Sequence, residues 1–421
     1  MGRGARDNRD RRPHLHPVER IELNEEHTGL RLIAAAVLLL LGAGLLAYSI
    51  TGLLTPELGW QEVKASGSTD PTCAGDFTFL YQMSSNAEVR EVTSHYTEAC
   101  QSVYRLFHSG QEFDGVVNIH TINHHPNETL EVDPGLYAAF SAVVESGRRE
   151  LYLGPVYERY NGLFSCEDDS QLADFDPRLS PEVAREYREY AAYANDPRSV
   201  QVELLGENRI RLFVSREYLE YAEREGVESF IDFAWMRNAF AADCLAQELI
   251  AQGYTRGVLA SYDGFIRCLD ESGEEYSLLI YDQKDGIACT AAIMSYQGPK
   301  SVVGLRDFPV NALDQRRFYR PRTGEVRTPY VDTADGMCRN AVSSLTGYAG
   351  DRGCGEILLE MIPVYIADEF RPEALEALSA KGIASIYCED GVLYPSEADA
   401  TLTQLYERDG VQYSVASPKS K

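Results

Sequence analysis

Two polar clusters in this sequence have side chains that could bind a phosphate or a pyrophosphate. In the first, Asp232 and Asp243 flank Trp235, Arg237 and Asn238. The second has four arginines within seven residues and a fifth close behind, in a chain whose net charge is −26: Arg316, Arg317, Arg320, Arg322 and Arg327. Guanidinium groups bind phosphate oxygens in pairs, so this cluster predicts either an anion site or a solvated turn whose arginines pair with surplus carboxylates.

The nine cysteines suggest no metal site. All of them lie beyond residue 72, and none is spaced as C-x-x-C or stands beside a histidine pair. A zinc site is therefore not expected. Disulfides such as Cys338 with Cys354 are an alternative, and the odd count would leave at least one thiol free.

The elements that must position the polar clusters follow from the hydrophobic pattern. Apolar residues recur at spacings of three and four residues from Val89 to Leu106, which predicts a helix that starts near Ser85. Asp133-Pro134 and Ser180-Pro181 each read as an N-cap followed by a first helical residue. Further patterns predict a hairpin around Gly206, a helix after Arg237, and short helices near 340–346 and 372–380. Antiparallel strands mixed with helices indicate an α+β fold.

The N-terminal region predicts a membrane anchor. Residues 32–54 form 23 uncharged residues, which is long enough to cross a bilayer as a helix, and residues 1–31 carry seven arginines and no lysine. We therefore expect a cytoplasmic segment at 1–31, a single transmembrane helix at 32–54 and a linker at 55–75. An extracytoplasmic domain at 76–398 and a C-terminal tail at 399–421 would follow. The strongly acidic composition argues against nucleic acid as a partner.

Several segments resemble motifs of the FAD:protein FMN transferase (ApbE) family. Asp232–Asp243 aligns without a gap on D-x-G-G-x-A-K-G-x-A-x-D, and Gly257–Ile266 resembles a strand with an N-x-G-G-D turn. Arg317–Gly324 matches H-x-x-D-P-x-T-G, and Arg339–Ser344 matches A-D-A-x-S-T. The motifs occur in the family's order across about residues 76–398. The resemblance implies an ApbE-like (T-fold-like) mixed-sheet domain that binds FAD with Mg²⁺ and passes FMN to a threonine of a membrane electron-transfer protein.

The resemblance also maps candidate binding positions onto this chain. For the flavin nucleotide they are Asp232, Trp235, Arg237, Asn238, Asp243, Asp263, Arg317, Arg320, Arg322 and Thr323. For the metal they are Asn340 and Ser344, together with a main-chain carbonyl at Arg237.

The residues that would perform the family's chemistry are largely replaced. Asn340 stands for the metal-binding aspartate, and Arg317 stands for the histidine, although arginine cannot accept a proton at any useful pH. Ala234 and Trp235 replace two glycines, and Asn238 replaces a lysine. Because Mg²⁺ is usually held by a carboxylate and phosphates, we expect its affinity to be weak or absent. The other interpretation of Asn340 is an N-cap at the start of a helix. No catalytic base can be assigned.

Three functions remain open at this stage. The leading hypothesis is a membrane-anchored, catalytically degenerate FMN-transferase-like module that handles flavin or interacts with a membrane flavoprotein. The second is an active Mg²⁺-dependent FAD:protein FMN transferase with a rearranged site. The third is a structural ectodomain that binds a protein partner through the same cleft.

Overall fold

The computed structural model describes residues 59–67, 70–322, 324–397, 401–408 and 410–416. The predicted transmembrane segment at 32–54, the segment before it and the candidate Thr323 lie outside these residues. Within the described ranges no helix is both long and apolar enough to cross a membrane. All described residues belong to one structural unit.

Nine α-helices lie within the described ranges. They are α1 (Asn86–Leu106), α2 (Ile119–His124), α3 (Pro134–Ser146), α4 (Gly154–Tyr160), α5 (Pro181–Asn195), α6 (Arg216–Glu225), α7 (Arg237–Ala251), α8 (Cys354–Tyr365) and α9 (Ala374–Ala380).

The helix ends follow the predicted capping chemistry. The Ser85 side chain accepts from the Glu88 N–H at 3.2 Å at the start of α1, and the Asp133 carboxylate accepts from the Gly135 N–H at 2.7 Å at the start of α3. Gly147 ends α3 in the left-handed conformation, with φ 67°. The predicted starts of α1, α3 and α5 are confirmed.

The described strands number seventeen. They are β1 (Gly59–Val63), β2 (Phe77–Met83), β3 (Thr129–Glu131), β4 (Val200–Gly206), β5 (Arg209–Val214), β6 (Gly257–Ser261), β7 (Phe265–Cys268), β8 (Glu275–Lys284), β9 (Ile287–Gln297), β10 (Lys300–Arg306), β11 (Ser344–Ala349), β12 (Ala384–Glu389), β13 (Val392–Pro395), β14 (Leu402–Leu405), β15 (Glu407–Arg408), β16 (Val411–Gln412) and β17 (Ser414–Val415).

One large mixed sheet organises these strands. Its nine strands run in the order β1-β2-β6-β7-β10-β11-β12-β13-β17, with every neighbouring pair antiparallel except β13–β17. Smaller sheets have the orders β14-β9-β8, β3-β5-β4 and β15-β16. The mixed sheet and the helices together confirm the expected α+β class.

The large sheet is covered on both faces. Helices α7 and α8 pack on one face, and strands β8 and β9 supply apolar residues to a second core on the other. Neighbouring residues of β10 show this division, because Val303 belongs to the helix-side core and Val302 to the second core. The helix-side layer carries the polar residues of interest.

Three expectations need correction. The short helix predicted near 340–346 is absent, because Ser344–Ala349 forms β11, held between β10 and β12. The domain extends beyond the predicted limits of 76 and 398, since β1 pairs with β2 at one end and β14 pairs with β9 at the other. Cys338 and Cys354 are not bridged, and all nine cysteines are thiols.

Candidate functional site

The junction that leads into α7 has an unusual backbone. Asp232 accepts a hydrogen bond from the Ala234 N–H at 2.7 Å, and Ala234 adopts a positive φ of 44° before a 3₁₀ turn that ends at Met236. A residue with a Cβ in this left-handed region costs about 1–2 kcal/mol. The backbone therefore keeps a shape that suits glycine, although the sequence no longer supplies glycine there.

A second turn brings Asp263 against the start of α7. Gly264 has φ 108°, and an added Cβ there would lie 2.6 Å from the carbonyl oxygen of Gly304, so the turn requires glycine. The Ser261 hydroxyl accepts from the Phe265 N–H at 2.9 Å and closes the turn. Asp263, only 4% exposed, then accepts from the Asn238 Nδ2 at 3.2 Å.

A third element, the 3₁₀ turn Asp314–Arg317, brings a guanidinium to the same carboxylate. The Arg317 Nη1 lies 2.7 Å from Asp263 Oδ2, and both side chains are largely buried, at 12% and 4% exposed. Burial lowers the pKa of Arg317, yet the Asp263 carboxylate together with Tyr330, Asp314 and Tyr262 more than offsets this and leaves the pKa raised. Arg317 is therefore a permanent cation fixed within the site.

A second ion pair holds Arg237 at the first turn of α7. Its Nη2 lies 3.1 Å from Oδ2 of Asp76, at the end of the 3₁₀ turn Ala74–Asp76. Burial raises the pKa of Asp76, and Arg237 partly opposes the shift. Asp76 was not found by the sequence analysis, because nothing local distinguishes it from the other aspartates of an acidic chain.

These elements enclose a cleft of about 700 Å³. Its charged and amide-bearing walls are Asp232, Arg237, Asn238, Asp263, Arg316 and Arg317. Phe107, Phe164 and Tyr262 add aromatic surface. Trp235 is 7% exposed and packs edge-on against Tyr330 at 5.1 Å, so it forms part of the wall and leaves the cleft open.

The charge distribution of the cleft leaves one cation unpaired. Arg316 is exposed at the wall, and within the described residues it has no ion-pair partner. Asp232 has a pKa raised by burial, and its hydrogen bond from Ala234 and the nearby Arg237 partly oppose this. Two buried polar atoms of the lining, Arg317 Nη2 and Asn238 Oδ1, have no hydrogen-bond partner among the described residues. Such atoms are costly unless a ligand or water contacts them.

Other predicted binding residues are placed elsewhere. Asp243 accepts from the backbone N–H groups of Cys354 and Gly355, each at 2.8 Å, and so caps α8. Arg320 and Arg322 do not line the cleft, and the Arg322 N–H donates to Asp169 at 2.9 Å. The arginine cluster therefore divides, with Arg316 and Arg317 in the cleft wall and the later arginines outside it.

The two residues predicted to hold a metal do not converge on one point. Asn340 Nδ2, a donor, lies 3.1 Å from Asp307 Oδ2, and the Ser344 hydroxyl donates to the Tyr281 carbonyl at 3.1 Å inside the sheet. The Asp307 carboxylate also accepts from Ser343 at 2.6 Å. Among the residues that the structure describes, no group of three or more His, Cys, Asp or Glu could hold a metal. This donor set does not fit Mg²⁺, which prefers several hard oxygens in octahedral geometry.

Comparison with solved structures establishes the fold. No protein-family model matches the chain, and no curated protein matches it in sequence. The structure is similar to that of the flavin transferase ApbE from Vibrio cholerae, with a TM-score of 0.53 and 15% identity, over 79% of this chain and 95% of that chain. An ApbE protein from Thermotoga maritima gives a TM-score of 0.51 and 15% identity, over 78% of this chain and 94% of that chain. The expected ApbE-like fold is confirmed.

Proposed function

We propose that this domain binds a flavin nucleotide in the cleft between the start of α7 and the Asp314–Arg317 turn, and that it no longer transfers FMN. The observation that carries the proposal is the buried ion pair between Arg317 and Asp263, 2.7 Å apart, at a position where the family motif has a histidine. The ion pair is compatible with ligand binding in the cleft, but it places an arginine where the motif has a histidine that could accept a proton.

The cleft supports the binding part of the proposal. Its volume of about 700 Å³ lies within the range of small-molecule sites, about 300–1,000 Å³. Arg316 offers an unpaired guanidinium to a pyrophosphate, while Phe107, Phe164 and Tyr262 offer aromatic surface to a ring system.

The same cleft argues against transfer chemistry. Moving a phosphoryl group requires neutralisation of developing charge and a group that takes the proton of the acceptor hydroxyl. Arg317 cannot act as that base. Asn340 brings an amide where the family motif brings a carboxylate, and this amide is already hydrogen-bonded to Asp307. No metal-dependent step is therefore derived for this chain.

We further propose that residues 32–54 anchor the domain at the outer face of a membrane, where its partner is a membrane flavoprotein or another electron-transfer protein. The 23 uncharged residues and the arginine-rich segment before them support this topology. An anchored flavin-binding domain would meet such a partner in two dimensions, which raises their effective concentration.

The test measures binding and transfer separately. The full chain is incubated with FAD in the presence of EDTA, and retention of flavin is followed by fluorescence anisotropy and gel filtration. A second reaction contains FAD, Mg²⁺ and an acceptor protein with the target threonine, and is read by mass spectrometry. We expect retention of FAD in EDTA and no covalent FMN on the acceptor.

Each other outcome selects a competing function. Covalent FMN on the acceptor would establish an active transferase and refute the degenerate assignment. Absence of FAD retention with or without Mg²⁺ would leave the cleft as a surface for a protein partner. The double variant Arg317→His with Asn340→Asp is the matched control, because it restores the two missing groups and should increase transfer only if FAD already enters the cleft.

A further inference from the structure

A pair of buried cysteines lies directly behind the cleft. Cys73 precedes the turn Ala74–Asp76, and Cys100 lies in α1. The Cys73 N–H donates to the Cys100 carbonyl at 3.3 Å, and the Cys73 Sγ approaches the same carbonyl at 3.3 Å. The two residues are 5% and 0% exposed. Two segments that are 27 residues apart in sequence thus meet at their cysteines.

The contacts of this pair make the two cysteines neighbours in space. The Cys73 N–H and Sγ both contact the Cys100 carbonyl, and a disulfide requires a Cα separation of about 4.4–6.8 Å. The two thiols also interact directly, since the hydrogen bond to the Cys100 thiol raises the pKa of Cys73 and burial raises it further. The other thiols with defined contacts face different groups, such as Cys289 with the Tyr413 hydroxyl at 3.1 Å and Cys354 with the Ile266 carbonyl at 3.3 Å.

We propose that Cys73 and Cys100 form a structural disulfide when the domain folds in an oxidising compartment. The oxidant is a disulfide of a small thiol or of a thiol oxidoreductase. The thiolate of one cysteine attacks that disulfide and releases one thiol, and a mixed disulfide remains. The second cysteine then displaces the other thiol, so two protein thiols are oxidised and one external disulfide is reduced to two thiols.

The low reactivity of buried thiols indicates that Cys73 and Cys100 are oxidised before the core closes. Thiolates are the nucleophiles of disulfide exchange, and a buried thiol with a raised pKa supplies very few of them. Once formed, the bond would be shielded by the same burial. We therefore expect rapid formation during oxidative refolding and slow reaction of the folded, reduced protein.

The disulfide would fix the turn that positions one cleft arginine. The Asp76 N–H donates to the Cys73 carbonyl at 2.8 Å, and the Tyr262 N–H donates to the Asp76 carbonyl at 3.0 Å. Asp76 in turn holds Arg237 at 3.1 Å. A covalent bond at Cys73 thus fixes one end of a short chain of contacts that leads to the cleft.

Peptide mapping of the full chain tests the proposal. The protein is refolded with reduced and oxidised glutathione, quenched with acid, alkylated, digested and analysed without reductant. We expect one cross-linked species that joins the peptides of Cys73 and Cys100, while the other cysteines are alkylated. Complete alkylation of both residues after oxidative refolding, or a cross-link from either to a different cysteine, would overturn the proposal.

Thermal unfolding gives a second, independent measurement. Closing this loop should raise Tm by about 3–6 °C relative to the reduced protein. Cys73→Ala and Cys100→Ala should each abolish this dependence on reductant, whereas Cys289→Ser should retain it. A dependence that persists in Cys73→Ala contradicts the assignment. The peptide map of the unmodified chain decides the question even if a variant fails to fold, and neither measurement depends on flavin binding.

Discussion

Replacement of Arg317 by methionine tests the ion pair on which the proposed function depends. The substitution keeps an unbranched side chain and removes the positive charge. The Asp263 carboxylate, which is only 4% exposed, then has no cation beside it. Removal of one partner from a buried pair costs about 3–5 kcal/mol. Here Asn238 still donates to Asp263, and Arg317 borders the cleft, so we expect Arg317→Met to lower the free energy of unfolding by about 2–4 kcal/mol.

A double-mutant cycle measures the interaction energy of Arg317 with Asp263 apart from the contribution of each residue alone. Asp263→Asn leaves a buried guanidinium without its carboxylate and should cost about 2–4 kcal/mol. The double variant with Arg317→Met contains neither charge. It should be only about 1 kcal/mol less stable than the unchanged protein, because a buried ion pair replaced as a whole is often nearly neutral. The coupling energy should therefore be about 3–7 kcal/mol in magnitude.

Urea unfolding followed by circular dichroism and tryptophan fluorescence measures these free energies. Trp235 lies in the cleft wall and reports on the site itself. The matched control is Arg216→Met, whose ion pair with Glu220 is exposed at 92% and 63% and should contribute less than about 0.5 kcal/mol. Single variants within about 0.5 kcal/mol of the unchanged protein, or additive effects in the double variant, would refute the reasoning.

Three further predictions concern charge. Arg316→Ala should weaken FAD binding about tenfold in a fluorescence titration, whereas Arg320→Ala, on the same loop but outside the cleft, should not change it. Burial raises the pKa of Asp232, so that carboxylate takes up its proton at a higher pH than usual, and FAD affinity should rise as the pH falls into the range where Asp232 is protonated. Asp232→Asn should flatten this profile and raise affinity about two- to fivefold at neutral pH. Burial, with a contribution from Asp133, raises the pKa of Glu248 to about 7. The cost of ionising Glu248 in the folded protein is therefore absent below about pH 4.5 and grows as the pH rises to about 7. In urea unfolding, Glu248→Gln should stabilise the protein by about 1–2 kcal/mol near pH 8, after a discount for its partial exposure, and should have no effect near pH 4.

Local patterns in the sequence predicted the helices well, because their determinants are local. The caps Ser85, Asp133 and Ser180 act within three residues of themselves, and each is confirmed. The helix expected near 340–346 failed for the opposite reason. The Ala341 N–H donates to the Tyr365 carbonyl, and the following strand fits between two neighbours that are distant in sequence. Tertiary contacts therefore override the local preference there.

The arginine cluster shows a second limit of sequence reasoning. Arg316 and Arg317 stand in a 3₁₀ turn and reach the cleft, while Tyr319 and Arg322 contact Asp169, about 150 residues earlier in the chain. Neighbours in sequence thus serve different sites, because the chain direction changes between them. Asp263 and Asp169 are the partners of Arg317 and Tyr319, and only the fold determines where these two aspartates lie.

Binding and transfer make different electrostatic demands, and under the proposed function the cleft meets only those of binding. Arg237 and Arg317 are each held by a carboxylate, so their charges are largely neutralised before any ligand arrives. Arg316, which lines the cleft, would supply the remaining attraction for a pyrophosphate, and we therefore expect the affinity to be salt-sensitive. Transfer would instead require positive charge that strengthens its contacts as the transition state forms. Arg237 and Arg317 are already paired with aspartates and cannot respond in that way, which is why the proposed function is flavin binding without transfer.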